Sequence, residues 1–283
     1  MFVGQMLIKR QGGRKVQNHS EVIMDGSISE NEELQGFIDL WKRMFGYMDS
    51  MGLRWAVELE IPDIISQGGL ESMVSAEEIA SHLPSPFPNI DFLSRILSFL
   101  AMRGIFTQTL LPNSQIVKYG LTPISKWLLK TRGMGCSMNP MVLMQTHEAV
   151  IAPWYRMADC TVSASGFPFE HVHGKLLFSF AKENPEFGKV FNDAMASHSK
   201  MLMKDILAAY NDGFSKLSFK SLLDVGGGDG STIASIARAF PNIKCYNYDL
   251  PQVITQAPTY SGVEHIAGDM FLNVPRGDAI LMK

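Results

Sequence analysis

A run of glycines and acids over residues 222–230, LLDVGGGDG, is the part of the sequence whose spacing most clearly predicts chemistry. An apolar strand ends at Val225, a glycine-rich turn follows, and Ser231 opens the next helix. Glycine lets the backbone approach a ligand closely and adopt positive φ. The helix start presents free N–H groups at the positive end of its dipole. We therefore predict that a ligand lies across this turn.

The spacing of the glycines distinguishes between the cofactors that bind such turns. A dinucleotide fingerprint reads G-x-G-x-x-G/A; Gly226 and Gly228 fit it, but its third position is Ser231. The carboxylate of Asp224, two residues before the first glycine, would repel a pyrophosphate, yet it suits a cationic group such as the amino acid end of S-adenosylmethionine. A phosphate loop, G-x-x-x-x-G-K-[ST], is absent from the sequence. The pattern favours S-adenosylmethionine, and an NAD-dependent oxidoreductase is the rival.

Two further acids follow at the ends of the next two predicted strands. Asp249 ends the second strand, and Asp269 follows the third, with Met270 next to it. An acid at the tip of the second strand can accept both ribose hydroxyls, while Asp269 can accept from an adenine amino group and Met270 can pack on the ring. A single acid at the end of a strand could equally be the N-cap of the next helix and not a ligand-binding residue. Three at the ends of successive strands indicate a ligand site, because open α/β sheets bind ligands there.

The spacing of the apolar residues predicts the strands and helices that position these residues. From Lys220 onward apolar strands alternate with helices, which indicates a parallel α/β sheet. Its resemblance to doubly wound sheets implies four strands in the order 3-2-1-4. Two methionine-rich helices are predicted before it, over residues 138–160 and 185–210. The last predicted strand, 279–282, would then be an apolar sheet edge, which is an aggregation hazard.

A second group of elements is predicted in the first half of the chain. Ser75 and Glu78 form a capping box, Asp91 is predicted to cap a later helix, and two short strands flank a turn at residues 112–114. Helices followed by a small hairpin are typical of a winged-helix unit. Because its basic and acidic residues balance, we predict a dimer-forming unit and treat a DNA-binding regulator as a rival.

Composition sets the class of protein. The chain of 283 residues is 46% hydrophobic with a net charge of -3, which predicts a folded core and argues against a nucleic-acid partner. The sequence contains no run of 18 apolar residues, so no membrane span is predicted. The three cysteines are far apart, which favours a reducing, cytoplasmic location. We divide the chain into a disordered extension (1–24), a winged-helix-like domain (25–135) and a ligand-binding domain (136–283).

The sequence resembles the plant small-molecule O-methyltransferases that use S-adenosylmethionine. The segments that carry the resemblance are LLDVGGGDGSTIASIARAFP, YDLPQVI, GVEHIAGDMF and DAILMK, and in the first half MDSMGLRWAVELEIPDII, LSRILSFLAMRGIF and YGLTPISKWLL. It extends from about Leu34 to Lys283 and is closest to enzymes that act on benzylisoquinoline-type alkaloids and related phenolics.

The resemblance implies an α/β fold in which a helical N-terminal dimerisation domain, with its winged-helix-like unit, precedes a Rossmann-like class I methyltransferase domain. It implies a homodimer that transfers a methyl group from S-adenosylmethionine to a hydroxyl of a phenolic or alkaloid small molecule. The product of the cofactor would be S-adenosylhomocysteine, and no metal would take part. Nucleic acid and membrane are not expected partners.

The resemblance also implies roles for individual residues. The cofactor-binding residues it implies are Gly226, Asp249, Asp269, Met270, Lys283 and Ser199. The substrate-binding residues it implies are Met144, Gln145, Trp154, Met195 and His198. Gln145 departs from the Met-Asn pair that the family has here, so the choice of substrate is expected to differ.

The family's general base is a histidine that follows the segment matched by DAILMK. We therefore expect the base beyond Lys283, a methyltransferase domain without its last strands, and no catalytic residue among the seven histidines of the sequence. Base catalysis needs a group of suitable pKa within hydrogen-bond reach of the hydroxyl. We expect negligible methyl transfer by these 283 residues alone, which a labelled-methyl assay tests. The alternative is an inactive truncated homologue that binds the cofactor or serves as a dimerisation partner.

Overall fold

The computed structural model describes residues 30–130, 136–163, 166–216 and 220–282. The extension predicted over residues 1–24 lies outside the described residues. The chain divides into two units, of which the first ends at Phe45 and the second begins at Gly46. The domain boundary predicted between residues 135 and 136 stays a prediction.

The first unit contains a single described helix, α1 (Glu30–Met44). Its aromatic side chains pack on one another along the helix: the ring centroids of Phe37 and Trp41 are 5.9 Å apart, and those of Trp41 and Phe45 are 5.2 Å apart. These apolar side chains are nevertheless exposed, Phe37 to 57%. Such a row of exposed apolar side chains is typical of a surface that binds another protein.

The second unit begins with the predicted winged-helix-like elements. In chain order these are α2 (Tyr47–Glu58), α3 (Ile61–Ser66), β1 (Met73–Ser75), α4 (Ala76–Ala80), α5 (Ile90–Met102), β2 (Phe106–Leu110), β3 (Val117–Leu121) and a 3-10 helix (Ser125–Leu128). The strands form an antiparallel sheet in the order β1-β3-β2. The predicted hairpin is confirmed. Strand β1 was not predicted, because three residues are too few for a pattern.

The helix caps of this unit test two predictions. The capping box is confirmed: Ser75 Oγ accepts from the Glu78 N–H at 3.2 Å, and the Glu78 carboxylate accepts from the Ser75 N–H at 2.5 Å. The prediction that Asp91 caps α5 is wrong. The cap is Asn89, whose Oδ1 accepts from the Phe92 N–H at 3.0 Å, because Asn89 has the extended backbone that a cap needs and Asp91 is already helical.

Helices fill the segment before the parallel sheet. They are α6 (Asn139–Gln145), α7 (Glu148–Ile151), a 3-10 helix (Ala152–Arg156), α8 (Met157–Val162), α9 (Pro168–His173), α10 (Leu177–Glu183) and α11 (Pro185–Lys216). The continuous helix predicted over residues 138–160 is wrong, because His147 caps a new helix by accepting from the Ala149 N–H and Pro153 begins a tighter turn. The helix predicted from residue 185 is confirmed and continues to Lys216.

The parallel sheet has the predicted order. Its elements are β4 (Ser221–Val225), α12 (Ser231–Ala239), β5 (Lys244–Asp249), α13 (Pro251–Ile254), β6 (Val263–Ala267) and β7 (Ala279–Met282). The strands lie in the order β6-β5-β4-β7 and all pair in parallel, which confirms the 3-2-1-4 prediction. The carboxyl ends of β4, β5 and β6 therefore share one edge.

Candidate active site

The glycine loop, residues 226–230, connects β4 to α12 as predicted. Three of its glycines have the positive φ that favours glycine: 73° at Gly226, 61° at Gly228 and 80° at Gly230. The Gly226 N–H donates to the carbonyl oxygen of Tyr248 at 2.8 Å, which fixes the start of the loop to β5. The start of α12 is thus directed to the carboxyl edge of the sheet.

The two sides of the glycine loop differ in the space around them. A methyl group on Gly226 or Gly228 would meet no described atom within 4 Å. A methyl group on Gly227 would lie 2.1 Å from Oδ1 of Asn247 and 2.8 Å from Oδ2 of Asp224. Gly227 is therefore packed on the sheet, while Gly226 and Gly228 border open space in the part of the chain that the structure describes. A ligand that contacts the loop backbone fits on that open side.

Asp249 lies directly beside the glycine loop. Its Oδ2 accepts from the Gly228 N–H at 2.7 Å, and its Oδ1 accepts from the Leu250 N–H at 2.7 Å. Each carboxylate oxygen can accept a further hydrogen bond. Asp249 therefore meets the geometric requirement for a residue that binds hydroxyl groups of a ligand at this edge.

Asp269 and Met270 lie at the end of the next strand. The Gly268 N–H donates to the Asp249 carbonyl oxygen at 2.9 Å, which ties the end of β6 to the end of β5. Asp269 Oδ1 accepts from the Phe271 N–H at 2.9 Å, so this carboxylate also stabilises a turn. The Met270 side chain is exposed. The structure thus brings the second and third predicted acids to one edge.

Asp224, in contrast, lies beneath the glycine loop. It is 2% exposed and pairs in register with Asn247 of β5. Its carboxylate lies against Gly227, on the packed side of the loop. The Asp224 carboxylate therefore lies on the packed side of the loop, away from the open space beside Gly226 and Gly228.

The negative charge of Asp224 acts on Cys245. Burial, followed by the negative charge of Asp224, raises the pKa of the Cys245 thiol from 9.0 to about 11. We expect Cys245 to react with iodoacetamide at pH 8 at least about 100-fold more slowly than the partly exposed Cys160, because only the thiolate reacts. Peptide mass spectrometry after timed labelling measures both rates; equal rates would contradict the prediction.

The raised pKa of Cys245 also makes the stability of the fold depend on pH. Because folding favours the neutral thiol, the contribution of Cys245 to stability is present below pH 9 and is lost as the pH rises towards 11.

The predicted substrate residues lie on helices α6 to α11. Met144 is buried in α6, and the neighbouring Gln145 is exposed. Trp154 is 62% exposed in the 3-10 helix, and Met195 and His198 are exposed on α11. Helix α6 packs along α11, which brings together the elements that carry Met144, Gln145, Met195 and His198. Trp154 lies on the 3-10 helix, which packs with α7, α8 and α9. The roles of the five residues stay predictions.

Two predicted cofactor residues remain. Ser199 is buried on α11, and its hydroxyl donates to the Met195 carbonyl oxygen at 2.7 Å. Lys283 lies outside the described residues. The cofactor roles of both stay predictions.

Sequence reasoning missed the polar residues that support the loop. Asn247 is fully buried in β5, and its side chain binds both the glycine loop and His265 of β6. The hydroxyl of Tyr260 donates to Asp229, and burial together with that carboxylate raises the pKa of Tyr260. The asparagine in the middle of the predicted strand CYNYD could have indicated this support, because a buried amide needs specific hydrogen-bond partners.

Within the described ranges, no three His, Cys, Asp or Glu side chains are grouped as metal ligands would be. The pair His171-x-His173 gives no such group; His173 Nε2 lies 2.9 Å from the Ala149 carbonyl oxygen and its ring packs on Phe169 and Phe180. The described helices include none with the length and apolar character to cross a membrane.

The comparisons with known families define the class of protein. The O-methyltransferase domain matches residues 154–283, and the O-methyltransferase dimerisation domain matches residues 41–131. Together with the parallel sheet and the glycine loop, these matches show that the chain belongs to the O-methyltransferase family and has the class I methyltransferase fold. It is therefore a methyltransferase with a dimerisation domain.

Particular relatives are plant enzymes. The chain is 40% identical to (R,S)-reticuline 7-O-methyltransferase of Papaver somniferum, over 89% of this chain and 70% of that protein. It is 42% identical to desmethylxanthohumol 6'-O-methyltransferase of Humulus lupulus, over 89% of this chain and 72% of that protein. It is also 42% identical to caffeic acid 3-O-methyltransferase 1 of Populus tremuloides, over 82% of this chain and 64% of that protein.

Solved structures share the fold. Human N-acetylserotonin methyltransferase, solved in complex with S-adenosylmethionine, matches with a TM-score of 0.72 and 17% identity, over 92% of this chain and 72% of that chain. The mitomycin 7-O-methyltransferase matches with a TM-score of 0.69 and 22% identity, over 89% of this chain and 72% of that chain. At these identities the likeness concerns the fold alone.

Proposed function

We propose that the protein transfers a methyl group from S-adenosylmethionine to a hydroxyl of a phenolic or alkaloid small molecule. The observation that carries the proposal is the glycine loop, open at Gly226 and Gly228, with Asp249 hydrogen-bonded beside it. The plant relatives bear the names of O-methyltransferases of (R,S)-reticuline, desmethylxanthohumol and caffeic acid. They support this substrate class.

The residues at the sheet edge fit the cofactor. Gly226 and Gly228 allow the backbone to approach its amino acid end, and Asp249 would accept hydrogen bonds from the two ribose hydroxyls. Asp269 would accept from the adenine amino group while Met270 packs on the ring; Ser199 and Lys283 would complete the site. When bound, the cofactor supplies a methyl group on a positively charged sulfur.

The acceptor is proposed to bind among the helices that precede the sheet. Met144, Met195 and Trp154 would supply apolar surface, and the adaptable methionine side chains suit a planar ring. Gln145 and His198 would supply polar contacts. Alignment of the acceptor oxygen with the methyl group and the sulfur is the main contribution that such a pocket makes to the rate.

The working form is proposed to be a homodimer in the cytoplasm. The dimerisation domain match and the exposed apolar side chains of α1 support association of two chains, because a monomer seldom exposes so much contiguous apolar surface. The widely separated free cysteines Cys136, Cys160 and Cys245 support a reducing compartment. Metal-independent transfer is part of the proposal.

Methyl transfer is tested with the protein purified from its natural source. It is incubated with S-adenosylmethionine labelled in the methyl group and with a panel of phenolic acids, chalcones and benzylisoquinolines. We expect label on a hydroxyl oxygen of at least one acceptor, located by mass spectrometry of the product. Cofactor binding without transfer to any acceptor would contradict the proposal and favour the inactive alternative, to which the relatives reported above give no support.

A further inference from the structure

Beneath the glycine loop, a chain of hydrogen bonds links Gly228 to Asn247 and His265, two residues that are not among the proposed cofactor contacts. Asn247 Nδ2 donates to the Gly228 carbonyl oxygen at 3.0 Å and lies 3.0 Å from Nδ1 of His265. His265 Nε2 lies 2.9 Å from the Pro258 carbonyl oxygen. This chain of hydrogen bonds therefore runs from the segment after α13, through β6 and β5, to the glycine loop.

The chemistry of these groups fixes the position of the ring proton. A carbonyl oxygen only accepts, so His265 Nε2 must carry a hydrogen to bind Pro258. The neutral ring has one N–H group, which leaves Nδ1 as an acceptor for the second N–H of the Asn247 amide. The Asn247 Nδ2 group and both ring nitrogens of His265 are then matched to their partners in one arrangement only.

This arrangement determines how the Gly228 peptide is held. The Asn247 amide turns the Gly228 carbonyl oxygen towards the sheet, while Asp249 accepts from the Gly228 N–H at 2.7 Å. A reversed Asn247 amide would set its oxygen against the Gly228 carbonyl oxygen, and two acceptors repel. The His265 ring also packs beneath the loop, since a methyl group on Gly230 would lie 2.8 Å from its Cε1.

We propose that Asn247 and His265 are positioning residues of the cofactor site: the Nε2–H tautomer of His265 orients the Asn247 amide, which holds the Gly228 peptide ready to bind the cofactor. The inference rests on the proposed function and deepens it. It assigns to a half-buried histidine on β6, outside the implied cofactor contacts, control over affinity for S-adenosylmethionine and its product.

Two nearly isosteric variants test the two hydrogen bonds of the His265 ring separately, because each variant keeps only one of them. His265→Asn keeps an acceptor close to the position of Nδ1, and His265→Gln keeps an N–H close to the position of Nε2. We expect His265→Gln to weaken the binding of S-adenosylhomocysteine about tenfold, because Asn247 loses its acceptor, and His265→Asn to stay within about twofold of the wild type. Calorimetric titration of the 283-residue chain measures both. Equal affinities, or the reverse order, would overturn the inference.

A measurement on the wild-type chain needs no variant to fold. In protein labelled with [15N]histidine, the ring nitrogens of His265 are assigned from the signals that disappear in His265→Asn or, if that variant does not fold, from nuclear Overhauser contacts to Pro258. We expect a pyridine-type shift at Nδ1 and a pyrrole-type shift at Nε2 near pH 8. A proton on Nδ1 would overturn the inference, whatever the affinities are.

The outcomes also separate this inference from the proposed function. If the wild type fails to bind S-adenosylhomocysteine, the proposed function fails. If the wild type binds and His265→Gln binds equally well, the proposed function stands and the positioning role is wrong.

Discussion

Replacement of Asp249 by alanine is expected to weaken the binding of S-adenosylhomocysteine about 100-fold, since hydrogen bonds to a charged acceptor contribute about 1.5–3 kcal/mol each. The variant removes the proposed acceptor of the ribose hydroxyls. It also removes the carboxylate that accepts from the Gly228 N–H, so part of the loss comes from the loop itself. Calorimetric titration of variant and wild type measures the change.

Asp278 offers a matched control at the opposite edge of the sheet. Like Asp249, its carboxylate accepts from two backbone N–H groups, those of Lys220 and Ser221, at 2.9 and 3.0 Å. These hydrogen bonds lower the pKa of Asp278. Asp278→Ala should lower stability and leave the affinity unchanged. Equal losses of affinity in the two variants would show that Asp249 acts through the fold and not as a ligand contact.

Gly227→Ala is expected to lower the free energy of unfolding by about 3 kcal/mol, as overpacking of a well-filled site does. The added methyl would lie 2.1 Å from Oδ1 of Asn247 and 2.8 Å from Oδ2 of Asp224. Both side chains are buried, so neither can swing into solvent to make room. Denaturation in urea, followed by circular dichroism, measures the loss.

Gly226→Ala is the control for this effect. Its methyl would meet no described atom within 4 Å. The loss in free energy of unfolding comes from the φ of 73°, because a side chain in the left-handed region costs about 1 kcal/mol. We expect Gly226→Ala to be the more stable variant and still to bind cofactor poorly, because its methyl enters the open side of the loop. Equal stability of the two variants would contradict the packing around Gly227.

The sequence predicts the parallel sheet well for a physical reason. Strand β4 carries the apolar pair Leu222 and Leu223, and the glycine loop that follows it marks the end of the strand and the start of the next helix. The order 3-2-1-4 comes from the resemblance to doubly wound sheets, because right-handed crossovers alone do not fix the order of the strands. With that order, the edge that carries Asp249 and Asp269 was predictable from the sequence.

Other features depend on contacts that no local pattern contains. The predicted helix over residues 138–160 breaks because His147 caps a new helix and its ring packs 5.0 Å from that of Phe187, far along the chain. The cap of α5 is Asn89, where the local pattern equally allowed Asp91. The Asn247–His265 pair joins neighbouring strands in register, which only the folded sheet defines.

Calorimetric titration distinguishes a glycine loop and neighbouring acids that bind S-adenosylmethionine from a loop that binds a dinucleotide. S-adenosylhomocysteine and NADH are each titrated into the 283-residue chain. We expect saturable binding of one S-adenosylhomocysteine per chain and no heat from NADH, because the third glycine of a dinucleotide turn is replaced by Ser231. Saturable binding of NADH, with no binding of S-adenosylhomocysteine, would contradict this expectation.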